Sequence, residues 1–559
     1  MPSQLDDELK AVMDALTAPG APLETIPFER EGTMLTALKN APPSLPALFD
    51  RYCAEHGAKP FLVDGDVRLT FAETRALAQE AAAGLIVRHS VVRGERIGIA
   101  ARNSANWIVA FMGVLMAGGC VTLLNGWWTG EELAAGIELA ECRLILADEP
   151  RAARLAEIDC TAQVLVFGHG DPQTGLAALL GQGPAALPEL TADDLATILF
   201  TSGSTGISKG AVSDHRGVVH GTLSFAGQSL MLLSYLTRKG TPPTLQPCAL
   251  IAVPLFHVTG EIAVLLQSFA IGRKLVLMPR WDAAEAMRLI AAEKVTYFVG
   301  VPLMSLEIAN HPDRAAYDLS SCVHFAAGGA PRPVDHVGVI REALPHAFPL
   351  LGYGLTETNA VGCGNFNENY LAKPGSTGPA SRPLVEIAIL DDAGEHLPQG
   401  ANGEVAIRSV ANFLGYWRNE EATRAAVTAD LWFRTGDLGF LDPEGYLFIV
   451  DRKKDIIIRG GENISACEVE AALYAHPAVA EASVFGLPDA RLGEVPVVIY
   501  VARGEVSEQD LRDHLAQRIA AFKIPARFWR EDGPLPRLGT EKIDKRALKA
   551  RYLADWQPA

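Results

Sequence analysis

Short apolar runs alternate with amphipathic stretches along most of the chain. Leu144-Ile145-Leu146, Val164-Leu165-Val166-Phe167, Ile198-Leu199-Phe200, Leu250 to Val253, Lys274 to Leu277 and Val295 to Val299 read as strands, and Asp282 to Ala292 carries helical spacing. The alternation predicts α/β layers around a largely parallel sheet. No fixed period recurs, which excludes a solenoid. The most apolar stretch, Trp107 to Leu124, is interrupted by Gly113 and by Gly118-Gly119 and stops at Asn125. It predicts a buried helix passing through a glycine turn into a core strand, not a membrane span.

Two connectors divide this pattern. Residues 168–190 are rich in Gly, Pro and Gln and read as a surface loop. The run Asp451-Arg452-Lys453-Lys454-Asp455 lies between an apolar strand, Tyr446 to Val450, and another, Ile456 to Ile458. Beyond it the chain has a β-α-β-α pattern of its own. The expected architecture is a large N-terminal α/β unit of several subdomains (residues 1–451) and a small α+β unit (residues 452–559).

Composition narrows the function classes. The 559 residues include 49 Lys and Arg against 66 Asp and Glu, a net charge of −17. The length suggests about three to four structural units. An acidic balance argues against a general nucleic-acid binder, which needs a basic stripe along the phosphates, but leaves room for a local pocket for a small polyanion. The eight cysteines are scattered without a CxxC pair, so zinc fingers and redox motifs are unsupported and a reducing cytoplasm is expected. Acidic residues stand near the N-terminus where a signal peptide needs basic ones.

Several segments carry candidate chemistry. Phe200-Thr201-Ser202-Gly203-Ser204-Thr205-Gly206-Ile207-Ser208-Lys209-Gly210 follows a strand and concentrates glycines, hydroxyls and one lysine, a composition suited to cradling phosphates. It is not a Walker loop, because Ser208 precedes the lysine and Gly210 follows it; the bland alternative is a flexible Ser/Gly linker. Gly352-Tyr353-Gly354-Leu355-Thr356-Glu357-Thr358 offers an aromatic ring between glycines for a flat base, and a carboxylate for Mg²⁺. Phe325-Ala326-Ala327-Gly328-Gly329-Ala330-Pro331 is a small-residue turn that permits close approach of a ligand. Arg434-Thr435-Gly436-Asp437 ends in an acid able to take a vicinal diol, Pro254 to Gly260 places His257 at the end of a strand, and Pro536 to Ile543 carries Lys542 in a turn. Taken singly, most of these are as readily structural as functional.

Their combination and order resemble the adenylate-forming superfamily, in particular its AMP-forming acyl-CoA synthetases. The resemblance runs from about residue 45 to the C-terminus and rests on Thr-Ser-Gly-Ser-Thr-Gly-Ile-Ser-Lys-Gly, Tyr-Gly-Leu-Thr-Glu-Thr, Arg-Thr-Gly-Asp, Asp-Arg-Lys-Lys-Asp and Gly-Gly-Glu-Asn-Ile. It implies ATP, Mg²⁺ and coenzyme A as reaction partners, with acyl-AMP as intermediate and AMP and pyrophosphate as products. By the resemblance, Thr201, Ser202, Gly203, Ser204, Thr205, Gly206 and Lys209 grip the β- and γ-phosphates. Gly329, Ala330 and Pro331 with Gly352, Tyr353 and Gly354 hold adenine. Asp437 and Arg452 hold the ribose, Thr356 touches the α-phosphate, and Glu357 with Thr201 holds the metal. Lys542 corresponds to the family's catalytic lysine, which bridges the acid's carboxylate and the α-phosphate. Lys454 stands at the hinge about which the small domain rotates, presenting Gly460, Gly461 and Glu462 to coenzyme A. His257 borders the acyl pocket or the thiol channel.

Two departures from the family pattern stand out: Glu541, where the family has Gly before the catalytic lysine, and the bulky Trp127-Trp128 after Asn125-Gly126. His257 occupies the place where amino-acid-activating relatives carry Asp, which favours an acid without an amino group. His257, Val258, Thr259, Gly260, Val301, Ala360 and Val361, with Val299 and Met304, are expected to line an apolar cavity. The expected substrate is a medium- or long-chain fatty acid, or a bulky arylalkanoic or sterol-type acid. Alternatives are a coumarate- or benzoate-type CoA ligase, an adenylating enzyme serving a carrier protein, and, from another class, a non-catalytic nucleotide- or acyl-binding protein. Neither a transmembrane segment nor a nucleic-acid partner is expected, and a homodimer is compatible with the sequence.

Overall fold

The strand-forming runs are rich in Val, Ile and Leu on both faces, the composition of strands covered by helices on each side of a parallel sheet. The computed structural model describes residues 3–158, 160–201, 208–329, 332–538, 542–554 and 556. A seven-stranded sheet runs in the order Gly415–Tyr416, Lys209–Asp214, Leu195–Thr201, Cys120–Leu123, Arg96–Ala100, Leu144–Asp148, Gln163–Phe167. From Leu195–Thr201 onward its neighbours are parallel. An eight-stranded sheet runs Gly362–Asn365, Phe348–Gly354, His324–Ala327, Tyr297–Gly300, Cys248–Ile251, Lys274–Leu277, Pro60–Asp64, Val67–Thr70, parallel except at its two edges.

The apolar stretch at 107–124 folds as its pattern predicts. Ser104 caps the helix Ala105–Met116 by accepting the Trp107 N–H at 3.0 Å, and every residue of the helix is buried. Twelve residues span only about 18 Å, short of a bilayer core. Gly113 lets this helix lie against the helix Phe71–His89, since a Cβ there would stand 2.9 Å from the Ala81 Cβ. Among the described residues no helix is long and apolar enough to cross a membrane.

A four-stranded antiparallel sheet, Val385–Leu390, Gly403–Ser409, Phe433–Leu441 and Leu447–Arg452, follows the two large sheets and stands outside the parallel α/β pattern. Sheet membership changes between Arg452 and Ile457. The strand Ile457–Arg459 belongs to a five-stranded sheet with Glu462–Ile464, Gly493–Ala502, Val479–Asp489 and Arg527–Glu531, whose core includes Ile464, Leu473, Val484, Val498 and Leu515. The large N-terminal α/β unit and the small C-terminal unit therefore have separate cores.

Two local expectations change. The charged run at 451–455 is more than a connector: Asp451 and Arg452 finish a strand, and Asp451 is buried, accepting from the Ser465 hydroxyl (2.8 Å) and the Cys467 N–H (3.1 Å) at the start of the helix Ala466–Tyr474. Residues 168–190 are mainly irregular but include the short helix Pro172–Gly175.

Candidate active site

The site gathers beyond the carboxyl ends of the parallel strands in the eight-stranded sheet, where α/β proteins open a crevice between diverging connections. The strand His324–Ala327 runs out into Gly328 and Gly329, and Gly329 has φ +77°, a backbone that L side chains rarely adopt. The neighbouring strand Phe348–Gly354 carries Gly352, Tyr353 and Gly354 at its end. A Cβ on Gly354 would stand 2.0 Å from the Ala360 carbonyl oxygen, so only glycine lets the chain fold back there.

Thr356 and Glu357 begin the 3₁₀ turn Thr356–Thr358. Glu357 is buried, and its Oε1 accepts the Tyr416 hydroxyl at 2.8 Å. Burial pushes its carboxyl above the ordinary range, while the Tyr416 hydroxyl and the Arg452 and Lys209 charges pull the other way. Lys209 Nζ lies over the Tyr416 ring, 4.8 Å from its centroid. Thr201 ends the strand Leu195–Thr201 and is the antiparallel partner of Lys209. The intervening Ser202, Gly203, Ser204, Thr205 and Gly206 lie outside the described residues, as do Ala330, Pro331 and Glu541.

Asp437 and Arg452 are cross-strand partners in the antiparallel sheet. Asp437 Oδ1 is 3.0 Å from Arg452 Nε, and Oδ2 accepts the Tyr353 hydroxyl at 2.7 Å. An ionised carboxylate has about four acceptor positions, so capacity for a diol remains. Burial, with the Asp437 charge beside it, holds the Tyr353 phenol well above its usual range.

Lys542 comes to this place from the small unit. Its carbonyl accepts the Leu538 N–H at 2.8 Å, and its side chain passes Gly329, with Cε 3.5 Å from where a Gly329 Cβ would stand. Burial, reinforced by the Arg452 guanidinium and opposed by Asp437, lowers the ammonium's pKa to about 8. His257 lies close enough to feel Lys542: burial first, then that charge, lowers the imidazole to about 3, so it is neutral at physiological pH. Rather than closing a strand, His257 stands beyond Cys248–Ile251, just before the π-helical segment Thr259–Leu266. Trp127 packs on the adjacent Phe256 (ring centroids 5.2 Å apart) and Trp128 on Phe200 (5.1 Å), so the two bulky residues buttress the His257 loop and the strand before the Ser/Gly run.

Three other expected positions lie apart. Lys454 is exposed in the turn after Arg452. Gly460 and Gly461, with φ of +59° and +89°, form the turn of the hairpin Ile457–Arg459 to Glu462–Ile464, and the Gly460 N–H donates to the Leu492 carbonyl within the small unit. Glu462 is exposed on that hairpin.

A cavity descends from Gly328, Gly329 and Gly352 along one face of the eight-stranded sheet. Thr259, Val299 and Ala360 line it as expected. His257, Val258, Gly260, Val301, Met304 and Val361 do not. Val258 and Val361 are buried in the main core, and Val301 packs with Met304 in the cluster behind the sheet. A Cβ at Gly260 would meet the Pro254 carbonyl at 2.2 Å. Side chains alternate across a strand and rotate around a helix, so sequence neighbours of a lining residue face elsewhere. In their place Phe225, Leu232 and Ala263 line the shaft, and its deep end is polar, with Gln228, Ser229, Gln267, Arg273 and Tyr297. Helical spacing relates Thr259, Ala263 and Gln267, but no pattern marks which face of an all-buried segment meets a cavity.

Residues 49–417 match the AMP-binding enzyme family and residues 468–542 the AMP-binding enzyme C-terminal domain. The chain belongs to the AMP-binding enzyme family. Within it, the chain is 33% identical over 496 residues to the long-chain-fatty-acid–CoA ligase FadD13 of Mycobacterium tuberculosis, covering 88% of this chain and 94% of that one. It is 30% identical over 522 residues to a 4-coumarate–CoA ligase of Pinus taeda, covering 90% and 94%. Among solved AMP-binding relatives, o-succinylbenzoate CoA synthetase from Bacillus subtilis in complex with the acyl-adenylate intermediate OSB-AMP superposes with a TM-score of 0.79 at 29% identity, covering 91% of this chain and 98% of that one.

Proposed function

We propose that this AMP-binding enzyme is an acid–thiol ligase that joins a hydrophobic carboxylic acid to AMP and then transfers the acyl group to coenzyme A. The observation that carries the reading is the entry of Lys542, from a separately folded unit, beside Gly329 in a cleft that also holds Asp437, Arg452, Glu357 and a cavity. The named activities of the relatives, fatty-acid–CoA and coumarate–CoA ligation, support it.

In the first half-reaction a carboxylate oxygen attacks the α-phosphorus of ATP and pyrophosphate leaves. Lys542, a compact cation in a water-poor cleft, is suited to neutralising charge that builds between carboxylate and phosphate. Asp437, steadied by Arg452 and Tyr353, takes the ribose hydroxyls, and Gly328, Gly329 and Gly352 admit the base without steric bulk. Thr201 and Lys209, at the two ends of the Ser/Gly run, face the β- and γ-phosphates. Glu357 is a fitting Mg²⁺ ligand because it is buried, Tyr416 is the one side chain that hydrogen-bonds its carboxylate among the described residues, and a site for this ion needs only one or two carboxylates beside phosphate. When bound, Mg²⁺ supplies positive charge against the leaving pyrophosphate. His257, neutral, accepts the Thr259 N–H at 3.4 Å and so stands next to a residue that lines the acid's cavity.

In the second half-reaction the coenzyme A thiol attacks the acyl carbon and AMP leaves. We assign the pivot to the turn at Lys454, between the last strand of the large unit and the first of the small one, with the Gly460-Gly461-Glu462 hairpin swinging toward the thiol. Incubation with ATP, Mg²⁺, coenzyme A and a panel of acids tests the reading. AMP and pyrophosphate are expected in equal amounts with acyl-CoA; formation of ADP instead overturns it.

A further inference from the structure

The deep end of the cavity carries a cation without a counter-charge. Arg273 precedes the strand Lys274–Leu277 and is only 5% exposed. Its guanidinium stacks over the Tyr297 ring, 4.7 Å from the centroid, and Nη1 donates to Gln267 Oε1 at 3.2 Å. Its Nε is buried with no hydrogen-bond partner among the described residues. Among the described residues no carboxylate forms an ion pair with Arg273, and the groups that bear on its charge are the neutral Tyr297 and Cys248. Gln267 cannot turn away: its Nε2 donates to the Phe225 carbonyl at 2.9 Å and to Ser229 Oγ at 2.6 Å, which aims its oxygen at the guanidinium. An unpaired charge in the interior is costly unless a ligand completes it.

The sheet sets the distance between this cation and the reacting end. Tyr297 and His324 are register partners at the start of their strands, and Val299 pairs with Ala326 on the same cavity face. Gly328 lies four residues beyond His324, roughly 13 Å at strand rise. Between the two levels the walls include Val299, Ala326, Leu350 and Ala360, all apolar. A molecule filling the shaft therefore has a carboxylate at the Lys542 end, a hydrocarbon middle, and a group matched to a guanidinium at the far end.

We propose that the acid substrate carries a second carboxylate, received at the bottom of the cavity by Arg273 with Gln267 and Tyr297 around it, so that the enzyme activates one end of a dicarboxylic acid. The inference rests on the ligase reading above and names its substrate class. A guanidinium holds a carboxylate through charge-assisted hydrogen bonds, which also fixes how far the other carboxylate reaches.

The test compares α,ω-dicarboxylic acids from succinic to dodecanedioic with their monomethyl esters, the ω-hydroxy acids and the monocarboxylic acids of equal length, scored by pyrophosphate release. At the best length the diacid is expected to exceed the monoacid in kcat/KM by roughly 10- to 100-fold. Arg273→Gln should collapse that ratio, and Arg273→Lys should restore part of it; retained ATP binding and an unchanged melting temperature show that the variants fold. Equal turnover of diacids and monoacids by the wild type, a preference for the ω-hydroxy acid, or an unchanged ratio in Arg273→Gln overturns the proposal while leaving the ligase reading intact. Absence of pyrophosphate with every acid removes the ligase reading. The anchor is then decided by direct binding: the diacid should raise the melting temperature of the wild type but not of Arg273→Gln, and equal shifts overturn it.

Discussion

Lys542 lies against Gly329, its Cε 3.5 Å from where a Gly329 Cβ would be, so the small unit's lysine and the large unit's glycine turn form one surface. Removing the ammonium while keeping the fold, as in Lys542→Ala, should lower the rate of acyl-AMP formation by about 10²- to 10³-fold. ATP binding should change far less. Equilibrium binding of ATP beside single-turnover adenylation separates the two effects, and an equal loss in both would assign Lys542 to binding alone.

Gly329→Ala tests the same contact from the other side. With φ at +77° the substitution strains the backbone by about 1 kcal/mol before any contact is counted. Adenylation is expected to fall about tenfold, with thioester formation from synthetic acyl-AMP less affected; an unchanged adenylation rate would show that the turn has room to spare.

The pKa of Lys542, lowered to about 8, gives a pH signature. The protonated form is the active one, so kcat/KM for adenylation should be level below that value and fall about tenfold per pH unit above it. Lys542→Arg, which keeps its charge at all working pH values, should abolish the alkaline limb even at reduced rate. Persistence of the limb would assign it to another group.

Lys454→Pro should spare adenylation, because the side chain is exposed in a turn, yet impair acyl transfer to coenzyme A by restricting that turn. Separate assays with acid plus ATP, and with preformed acyl-AMP plus coenzyme A, read the split. Equal damage to both would place the pivot elsewhere.

Glu261, fully buried with both carboxylate oxygens unpartnered among the described residues, is raised to about 8 by burial. Between its ordinary value of 4.5 and about 8, the folded chain keeps a proton that the unfolded chain has released. Stability therefore declines as pH rises through that window. Glu261→Gln should raise the melting temperature at pH 8 relative to wild type by more than at pH 5. The same offset at both pH values would show that Glu261 does not titrate there.

The parts of this molecule legible in its sequence are those where period and punctuation agree. Gly113 and Gly118-Gly119 located the helix-to-strand turn, and the strand before Thr201 located the Ser/Gly run. The antiparallel sheet containing Asp437 was not visible, because its strands lack the helical spacers that announce a parallel layer. The motifs named Lys542, Asp437, Arg452 and Glu357, and the fold brings them to one cleft. The wall of the cavity was the failure. Val258 and Val361 are as apolar as Val299, and only the facing of each side chain, set by register and helix phase, separates core from lining. Arg273 escaped notice because a single arginine before a strand carries no pattern; its meaning lies in the missing counter-ion.

Lys542 and the Gly460-Gly461 hairpin belong to one unit: the hairpin's Ile457 and Ile464 pack on one face of its sheet and Ile543, next to Lys542, on the other, and the unit joins the rest through the short link after Arg452. With Lys542 beside Gly329, the Gly460 N–H is engaged by the Leu492 carbonyl within the small unit. On the proposed pivot at Lys454, chemistry on the two leaving groups runs in strict succession: pyrophosphate departs before the thiol is admitted, and the link acts as the escapement that keeps the high-energy anhydride from meeting its acceptor too soon.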